Sequence, residues 1–152
     1  MEEEGGRMEG TSKGVVDRFW EEVFNQGSLD VADEIFASKF ELRDPAADPD
    51  GEVRGPEGMK DLVRRIRSAF PDVRTTVEAQ MTTERGRVTT LFTVSATRGD
   101  TEERIEIEGT CVSRVSRGRI RESRSNWDSA GLMMQLGMVS GTAERWRWPP
   151  WR

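Results

Sequence analysis

Residues 73–97, VRTTVEAQMTTERGRVTTLFTVSAT, carry the clearest periodic pattern in the chain. Apolar or β-branched residues alternate with polar ones up to Met81, and Glu84-Arg85-Gly86 then has the composition of a turn. A β-branched run follows from Val88 to Thr97. A period of two on both sides of a turn is typical of two antiparallel strands joined as a hairpin. This segment therefore predicts that the second half of the chain forms a β-sheet.

Two further strands are predicted beyond the hairpin. Arg98-Gly99-Asp100 turns the chain into an alternating segment that contains Ile105 and Val115. Arg117-Gly118 then turns it into a last strand, from Arg119 to about Trp127. Glycine-bearing turns between alternating segments are typical of consecutive antiparallel strands.

Helical spacing dominates the first half of the chain. Apolar residues from Val15 to Phe24 recur every three or four positions, which predicts a helix from about Lys13 to the stop signal Asn25-Gln26-Gly27. Similar signals predict, in order, a second helix capped by Ser28 and ending near Ser38, a short strand at Phe40–Leu42, and a third helix over Gly55–Phe70. Helices followed by strands indicate an α+β domain, in which the helices pack on one face of a curved antiparallel or mixed sheet.

The length and the two ends of the chain predict its domain organisation. A chain of 152 residues is expected to form one domain, here residues 11–140, around one hydrophobic core. Residues 1–10 are acidic and have little to bury, so we predict a mobile arm. Residues 141–152 are rich in tryptophan and proline. We expect this tail to pack as an extended arm, because densely exposed aromatic residues lower solubility.

The charge balance argues against two classes of partner. With 23 Lys+Arg against 28 Asp+Glu, the formal net charge is −5, which does not suit a phosphate-binding surface, and we expect no nucleic-acid partner. No apolar stretch approaches the roughly 20 residues that cross a bilayer, and the acidic N-terminus does not resemble a signal peptide. We therefore predict a cytoplasmic protein with no membrane partner.

The residue types that are absent restrict the chemistry. The chain contains no histidine, no tyrosine and a single cysteine, Cys111, which we expect to be a small buried hydrophobe. We expect no metal and no cofactor, because these residues cannot build a thiolate or imidazole site, and the loop carboxylates of Asp44, Asp48 and Asp50 lack the spacing of a calcium site. Proton transfer would therefore fall mainly to carboxylates.

Four segments, taken together in their order and spacing, resemble the SnoaL-like polyketide cyclases of the nuclear transport factor 2-like superfamily. They are Phe19-Trp20 with Phe24-Asn25-Gln26-Gly27, then Gly55-Pro56-Glu57-Gly58, then Ala69-Phe70-Pro71-Asp72, and finally Arg117-Gly118-Arg119-Ile120 leading through Asp128 to Gly131-Leu132-Met133-Met134-Gln135-Leu136-Gly137. The resemblance extends over about Val15 to Gly137. It implies a cone-shaped sheet that N-terminal helices wrap around a pocket.

The resemblance also implies an activity and a catalytic residue. Cyclases of this kind close a ring of a polyketide by an intramolecular aldol condensation without a cofactor, and an aspartate at the end of the last strand acts as general acid and base. Asp128 resembles that residue. Burial in an apolar pocket would make such a carboxylate a better base. The alternative is that Asp128 caps the predicted closing helix Ser129–Leu136, which Gly137 would end.

The predicted pocket holds a small apolar or polyketide-like ligand. On a regular strand Ile120, Glu122, Arg124, Asn126 and Asp128 share one face, which is the candidate pocket wall. The candidate substrate-binding residues on all elements are Trp20, Arg43, Leu62, Ile66, Phe92, Ile120, Arg124 and Asn126. Arg124 could instead form an internal ion pair with Glu122 or Asp128, and Trp20 could serve the core.

Departures from the family pattern leave other functions open. Arg43 stands where the family often has histidine, Arg124 where a tryptophan is common, and Arg98-Gly99-Asp100 where a Gly-Thr-His hairpin is frequent. A noncatalytic ligand-binding or dimerisation module, or a hydrolase or isomerase on the same fold, is therefore a competing hypothesis. The resemblance also implies a homodimer that pairs through the outer face of the sheet.

Overall fold

The computed structural model describes residues 11–139, and both the expected N-terminal arm and the tryptophan-rich tail lie outside this part of the chain. Its helical elements are α1 (Ser12–Arg18), a π-helical segment (Phe19–Asn25), α2 (Val31–Ile35), α3 (Gly55–Ala69) and α4 (Ser129–Gln135). Its strands are β1 (Phe36–Arg43), β2 (Arg74–Thr82), β3 (Arg87–Thr97), β4 (Arg104–Ser116) and β5 (Arg119–Trp127). The predicted α+β class is confirmed.

The strands described between residues 11 and 139 form one curved, unclosed sheet in the order β1-β5-β4-β3-β2. Strands β2 to β5 are antiparallel neighbours, as the turn signals predict. Strand β1 pairs with β5 in parallel, so the sheet is mixed. The connection from β1 to β5 contains α3 and the other three strands. Helix α3 thereby lies over the same sheet that its flanking strands help to form.

The first helix changes geometry halfway. Thr11 caps α1 by accepting a hydrogen bond from the Gly14 amide at 3.0 Å. From Phe19 the turns widen, and the amide of Gln26 donates to the Glu21 carbonyl at 3.0 Å, a π-helical spacing. The predicted helix therefore extends to Asn25, with π-helical geometry over Phe19–Asn25. The π-helical segment ends at Asn25, which makes a tertiary contact with the sheet that the spacing of apolar residues could not predict.

Asn25, at the end of the π-helical segment, is bonded to the sheet. Its side-chain oxygen accepts from the Thr75 amide at 2.7 Å, and its side-chain nitrogen donates to the Thr75 carbonyl at 2.9 Å. The side chain thus pairs with both backbone groups of a residue in β2. This pairing attaches the N-terminal helices to the far edge of the sheet.

The boundary between α2 and β1 differs from the prediction. The sequence pattern extends the second helix to about Ser38, whereas the helix ends at Ile35 and Phe36 is already extended. Phe36 pairs with Ile120 of β5, a partner that is distant along the chain. Pairing with β5 therefore overrides the local helical spacing. Both residues are buried, and they belong to the core between the helices and the sheet.

Helix α3 forms as its sequence predicts. Pro56 occupies the first turn, where its missing amide hydrogen costs nothing, and Glu57 lies beside the positive end of the helix. Met59, Leu62 and Val63 are buried against the sheet. In residues 11–139, none of the helices combines the length and the apolar character that crossing a membrane requires.

Candidate functional site

A cavity of about 400 Å³ lies between the helices and the sheet. Most of its lining is apolar or aromatic, with side chains from α3, from the π-helical segment and from strands β3, β4 and β5. The lining includes Arg65 and Ala69, which are exposed, so this side of the cavity meets solvent along α3. A cavity of this size and composition suits a small organic molecule.

Four of the predicted substrate-binding residues line the cavity: Trp20, Leu62, Ile66 and Phe92. The rings of Trp20 and Phe92 pack against each other, with their centroids 4.8 Å apart. Trp20 is 6% exposed, so it serves the core and the cavity wall together. Ile120 is buried in the core but does not line the cavity.

The predicted pocket face of β5 is wrong beyond Ile120. Ile120 pairs with Val115 and Glu122 pairs with Arg114, so Arg121 is an extra residue on β5. Such a bulge shifts the alternation of side chains by one position. The cavity is lined instead by Ser123, Ser125 and Trp127.

The three polar residues among the predicted substrate-binding candidates lie outside the cavity lining. Arg43, Arg124 and Asn126 are exposed, and none of them lines the cavity. Arg124 donates to the Glu122 carboxylate at 3.0 Å, and this hydrogen bond holds the pKa of Glu122 below its usual range. The structure therefore favours the ion-pair interpretation of Arg124, with Glu122 as its partner.

Asp128 is exposed and caps α4. Its Oδ1 accepts a hydrogen bond from the Gly131 amide at 2.8 Å, and the carboxylate is not part of the cavity lining. The closing helix ends where the sequence predicts, since Gly137 follows it with a positive φ of 70°. Of the two interpretations of Asp128, the structure therefore favours the helix cap.

Asp44 is the carboxylate that lines the cavity, and it is only 7% exposed. Trp127 Nε1 donates to both of its oxygens, at 3.1 Å and 3.0 Å. The amides of Ala46 and Ala47 donate to Oδ1, at 3.2 Å and 2.9 Å. These bonds fix the orientation of the carboxylate and leave Oδ2 with fewer partners than Oδ1.

Adjacent strand residues point to opposite faces, so the sequence allows at most one of Arg43 and Asp44 to line the pocket, and the structure places Asp44 there. An aspartate followed by Pro-Ala-Ala is typical of a turn in which the side chain accepts bonds from amides two and three residues later. Because such a turn lies directly after β1, it holds the carboxylate at the end of that strand. Asp48 in the same loop is also buried, and its carboxylate accepts from the amides of Glu52 and Val53, each at 2.9 Å.

A cluster of small polar side chains forms another part of the cavity wall. Cys111 and Ser113 of β4 pair directly with Ser125 and Ser123 of β5. All four are buried and line the cavity. Burial raises the pKa of the Cys111 thiol, so the thiol is neutral at neutral pH. We call these four residues the serine cluster.

The described residues do not assemble a recognisable metal site. No group of three or more cysteine, aspartate or glutamate side chains is gathered in a metal-binding arrangement between residues 11 and 139. The two buried carboxylates in the loop after β1, those of Asp44 and Asp48, accept hydrogen bonds from amide and indole donors.

An open curved sheet with helices across one face and a cavity between them defines a class of cavity-containing α+β domains. Within that class, the family model of SnoaL-like polyketide cyclases matches residues 14–136 of this chain. The chain belongs to the SnoaL-like polyketide cyclase family, and the resemblance seen in the sequence is confirmed.

Several solved structures share this fold. A proposed polyketide cyclase from Acidithiobacillus ferrooxidans is 23% identical with a TM-score of 0.75, over 85% of this chain and 96% of that chain. IdmH, a proposed polyketide cyclase from Streptomyces antibioticus, is 25% identical with a TM-score of 0.75, over 83% and 98%. AclR, a proposed hydroxylase from Streptomyces galilaeus, is 19% identical with a TM-score of 0.70, over 86% and 87%. Among curated proteins, none matches this chain.

Proposed function

We propose that this chain binds a polyketide-like ligand in the cavity and catalyses a cofactor-independent, cyclase-type proton transfer, with Asp44 in the role that the resemblance assigns to Asp128. The observation that carries the proposal is the buried Asp44 carboxylate, which lines an otherwise largely apolar cavity. Asp128 is exposed and engaged at the start of α4. Membership of the cyclase family supports the reaction class.

The geometry suits a carboxylate that accepts and returns one proton. Within the described residues, three donors hold Asp44, and its Oδ2 accepts only from Trp127 Nε1. A carboxylate oxygen has two lone pairs, so Oδ2 can still receive a proton. In an intramolecular aldol step, Asp44 takes a proton from the carbon beside one carbonyl. The resulting enolate carbon then bonds to a second carbonyl carbon, and the proton is delivered to the alkoxide formed there.

Deuterium exchange at an activated carbon tests the proton-transfer step alone. We expect the protein in D₂O to accelerate exchange at C1 of 2-tetralone, followed by NMR. Asp44→Asn should lower that rate by about 100-fold or more, because an amide cannot take the proton. Asp48→Asn is the matched control, since Asp48 is buried in the same loop without lining the cavity. Loss of exchange in Asp128→Asn but not in Asp44→Asn would contradict the assignment to Asp44.

A noncatalytic binding module is the second candidate, and one observation favours it. The hydrogen bonds that orient Asp44 also tie its carboxylate to the loop and to β5. A side chain with these partners can serve as a fixed acceptor for a ligand hydroxyl. Binding of 2-tetralone without any acceleration of exchange, measured by calorimetry and NMR on the same sample, would select this function over the cyclase.

A further inference from the structure

We propose that the serine cluster, Cys111, Ser113, Ser123 and Ser125, is a subsite for uncharged oxygen atoms of the ligand, such as keto, enol or phenol groups, and that it rejects a carboxylate. This inference rests on the proposed function, because it concerns the ligand of the same cavity. The cluster is a polar patch on β4 and β5, and the rest of the described lining is largely apolar apart from Asp44 and Arg65.

The position of the cluster is the first support. Ser113 and Ser123 are 3% and 6% exposed, and their hydroxyl oxygens lie 2.8 Å apart. Cys111 Sγ lies 3.7 Å from Ser113 Oγ. The direct cross-strand pairs place these groups side by side across two neighbouring strands. Buried polar groups at an apolar wall cost free energy unless they gain hydrogen bonds.

The hydrogen-bonding capacity of the cluster exceeds what its internal bonds use. Each serine hydroxyl offers one donor hydrogen and two acceptor lone pairs. The contact between Ser113 and Ser123 consumes one hydrogen and one lone pair, which leaves three lone pairs and one hydrogen on the two hydroxyls. The longer contact between Cys111 Sγ and Ser113 Oγ uses at most one more of these groups. A keto oxygen can accept from such a hydroxyl, and a phenol can both donate and accept.

Trp20 does not add a polar group to this subsite. Its Nε1–H is buried and has no hydrogen-bond partner among the described residues, and its ring lines the same cavity. A buried donor without an acceptor costs free energy. The nitrogen has almost no accessible surface, so the face of the indole, and not its N–H, forms the cavity wall at Trp20. The serine cluster therefore carries the preference for oxygen atoms on an otherwise apolar molecule.

The charges around the cluster decide between neutral and anionic oxygens. The ionisable side chains among the described lining residues are Asp44, Cys111 and Arg65. Burial and the nearby Asp44 charge raise the pKa of Cys111, so the thiol carries no charge at neutral pH. Arg65 is exposed where the cavity meets solvent, and Arg43 and Arg124 do not line the cavity. An anion at the cluster would meet Asp44 without a cation beside it.

Three ligands with the same ring system test the inference: naphthalene, 2-naphthol and 2-naphthoate, each titrated by fluorescence. We expect 2-naphthol to bind the wild-type protein about 3- to 10-fold more tightly than naphthalene, the range that one hydrogen bond provides. In the Ser123→Ala/Ser125→Ala variant this preference should fall to within about 2-fold, with naphthalene affinity unchanged. We expect 2-naphthoate to bind at least about 10-fold more weakly than 2-naphthol.

Ser116→Ala, at the exposed end of β4, is the matched control and should keep the wild-type preference. Retained naphthalene binding shows that a variant is folded. If the double variant does not fold, the single variant Ser125→Ala is used in its place. Equal affinity for all three ligands, or a 2-naphthol preference that survives in the cluster variants, overturns the subsite and leaves the proposed function standing. Failure of all three ligands to bind overturns both.

Discussion

The two aspartates that follow the neighbouring strands β1 and β5 have opposite surroundings. Asp44 follows β1 and Asp128 follows β5, and these strands are parallel neighbours, so both residues lie at the same edge of the sheet. The side chain of Asp44 lines the cavity, and Trp127 of β5 donates a hydrogen bond to it. Asp128, the next residue along the chain after Trp127, instead accepts from the Gly131 amide of α4. The carboxylate that lines the cavity is thus that of Asp44, which follows β1, and not that of Asp128, which follows β5.

Cys111 makes the stability of the protein depend on pH in the alkaline range. Burial raises the pKa of its thiol in the folded state, so above about pH 8.5 the unfolded chain releases a proton that the folded chain keeps. Unfolding therefore becomes easier as pH rises, by up to about 1.4 kcal/mol per pH unit. We expect urea unfolding between pH 8 and 10 to show this loss in the wild-type protein and a smaller one in Cys111→Ser.

Amino groups titrate in both the wild-type protein and Cys111→Ser, so the difference between the two free energies of unfolding excludes their contribution. Below pH 8 the stability difference between wild type and Cys111→Ser should not depend on pH. Parallel curves up to pH 10 would show that the thiol is not held neutral by burial.

Helix α4 is held at its start by one side chain and one glycine. Asp128 accepts from the Gly131 amide, and a Cβ at Gly131 would overlap the Asp128 carboxylate. The other end is bonded to β4 through Gln135, whose side chain pairs with the amide and carbonyl of Glu106, each at 2.9 Å. Leu132 of this helix lines the cavity, so the cap also positions part of the cavity wall.

Loss of the cap should therefore cost stability. We expect Asp128→Ala to lower the free energy of unfolding by roughly 0.5–2 kcal/mol and Asp128→Asn to lower it by less, because asparagine also caps helices. Urea unfolding measures both. Gly131→Ala should resemble Asp128→Ala, since it displaces the same carboxylate. An unchanged stability in Asp128→Ala would contradict the capping role.

Across the whole molecule, the outer face of the sheet presents apolar side chains to solvent. Met81 and Leu91 are 71% and 44% exposed, and they lie on the paired strands β2 and β3. Two copies of one face can pair about a two-fold axis, as most homodimers do. This surface is the one through which we expect the protein to form a homodimer.

Sedimentation at micromolar concentration tests the homodimer. We expect twice the chain mass of 17.2 kDa for the wild-type protein, and the single mass for Leu91→Glu, which places a charge at the centre of the expected interface. Met133→Glu is the control, because Met133 is similarly exposed, at 39%, but lies on α4. A wild-type monomer, or a dimer that persists in Leu91→Glu, would contradict pairing through this face.

The sequence by itself determined the order of helices and strands, because hydrophobic period, turn residues and caps act within a few residues. The hairpin in residues 73–97, the helix of Gly55–Ala69 and the stop at Gly137 all depend on such local signals. The resemblance to the family had the same origin, since its motifs lie at these turns and helix ends. Trp20, Leu62, Ile66 and Phe92 were found as cavity residues because they belong to apolar stripes.

Tertiary structure alone decided which polar residues meet at the cavity. Arg121 is an extra residue only with respect to the pairing of β5 with β4. The pattern within β5 alone therefore could not predict that Ser123 and Ser125 point inward and Arg124 outward. Likewise, Asp44 reaches Trp127 only because β1 pairs in parallel with a strand from the other end of the chain. Register and pairing are relations between distant segments, and their energies appear only when the strands are side by side.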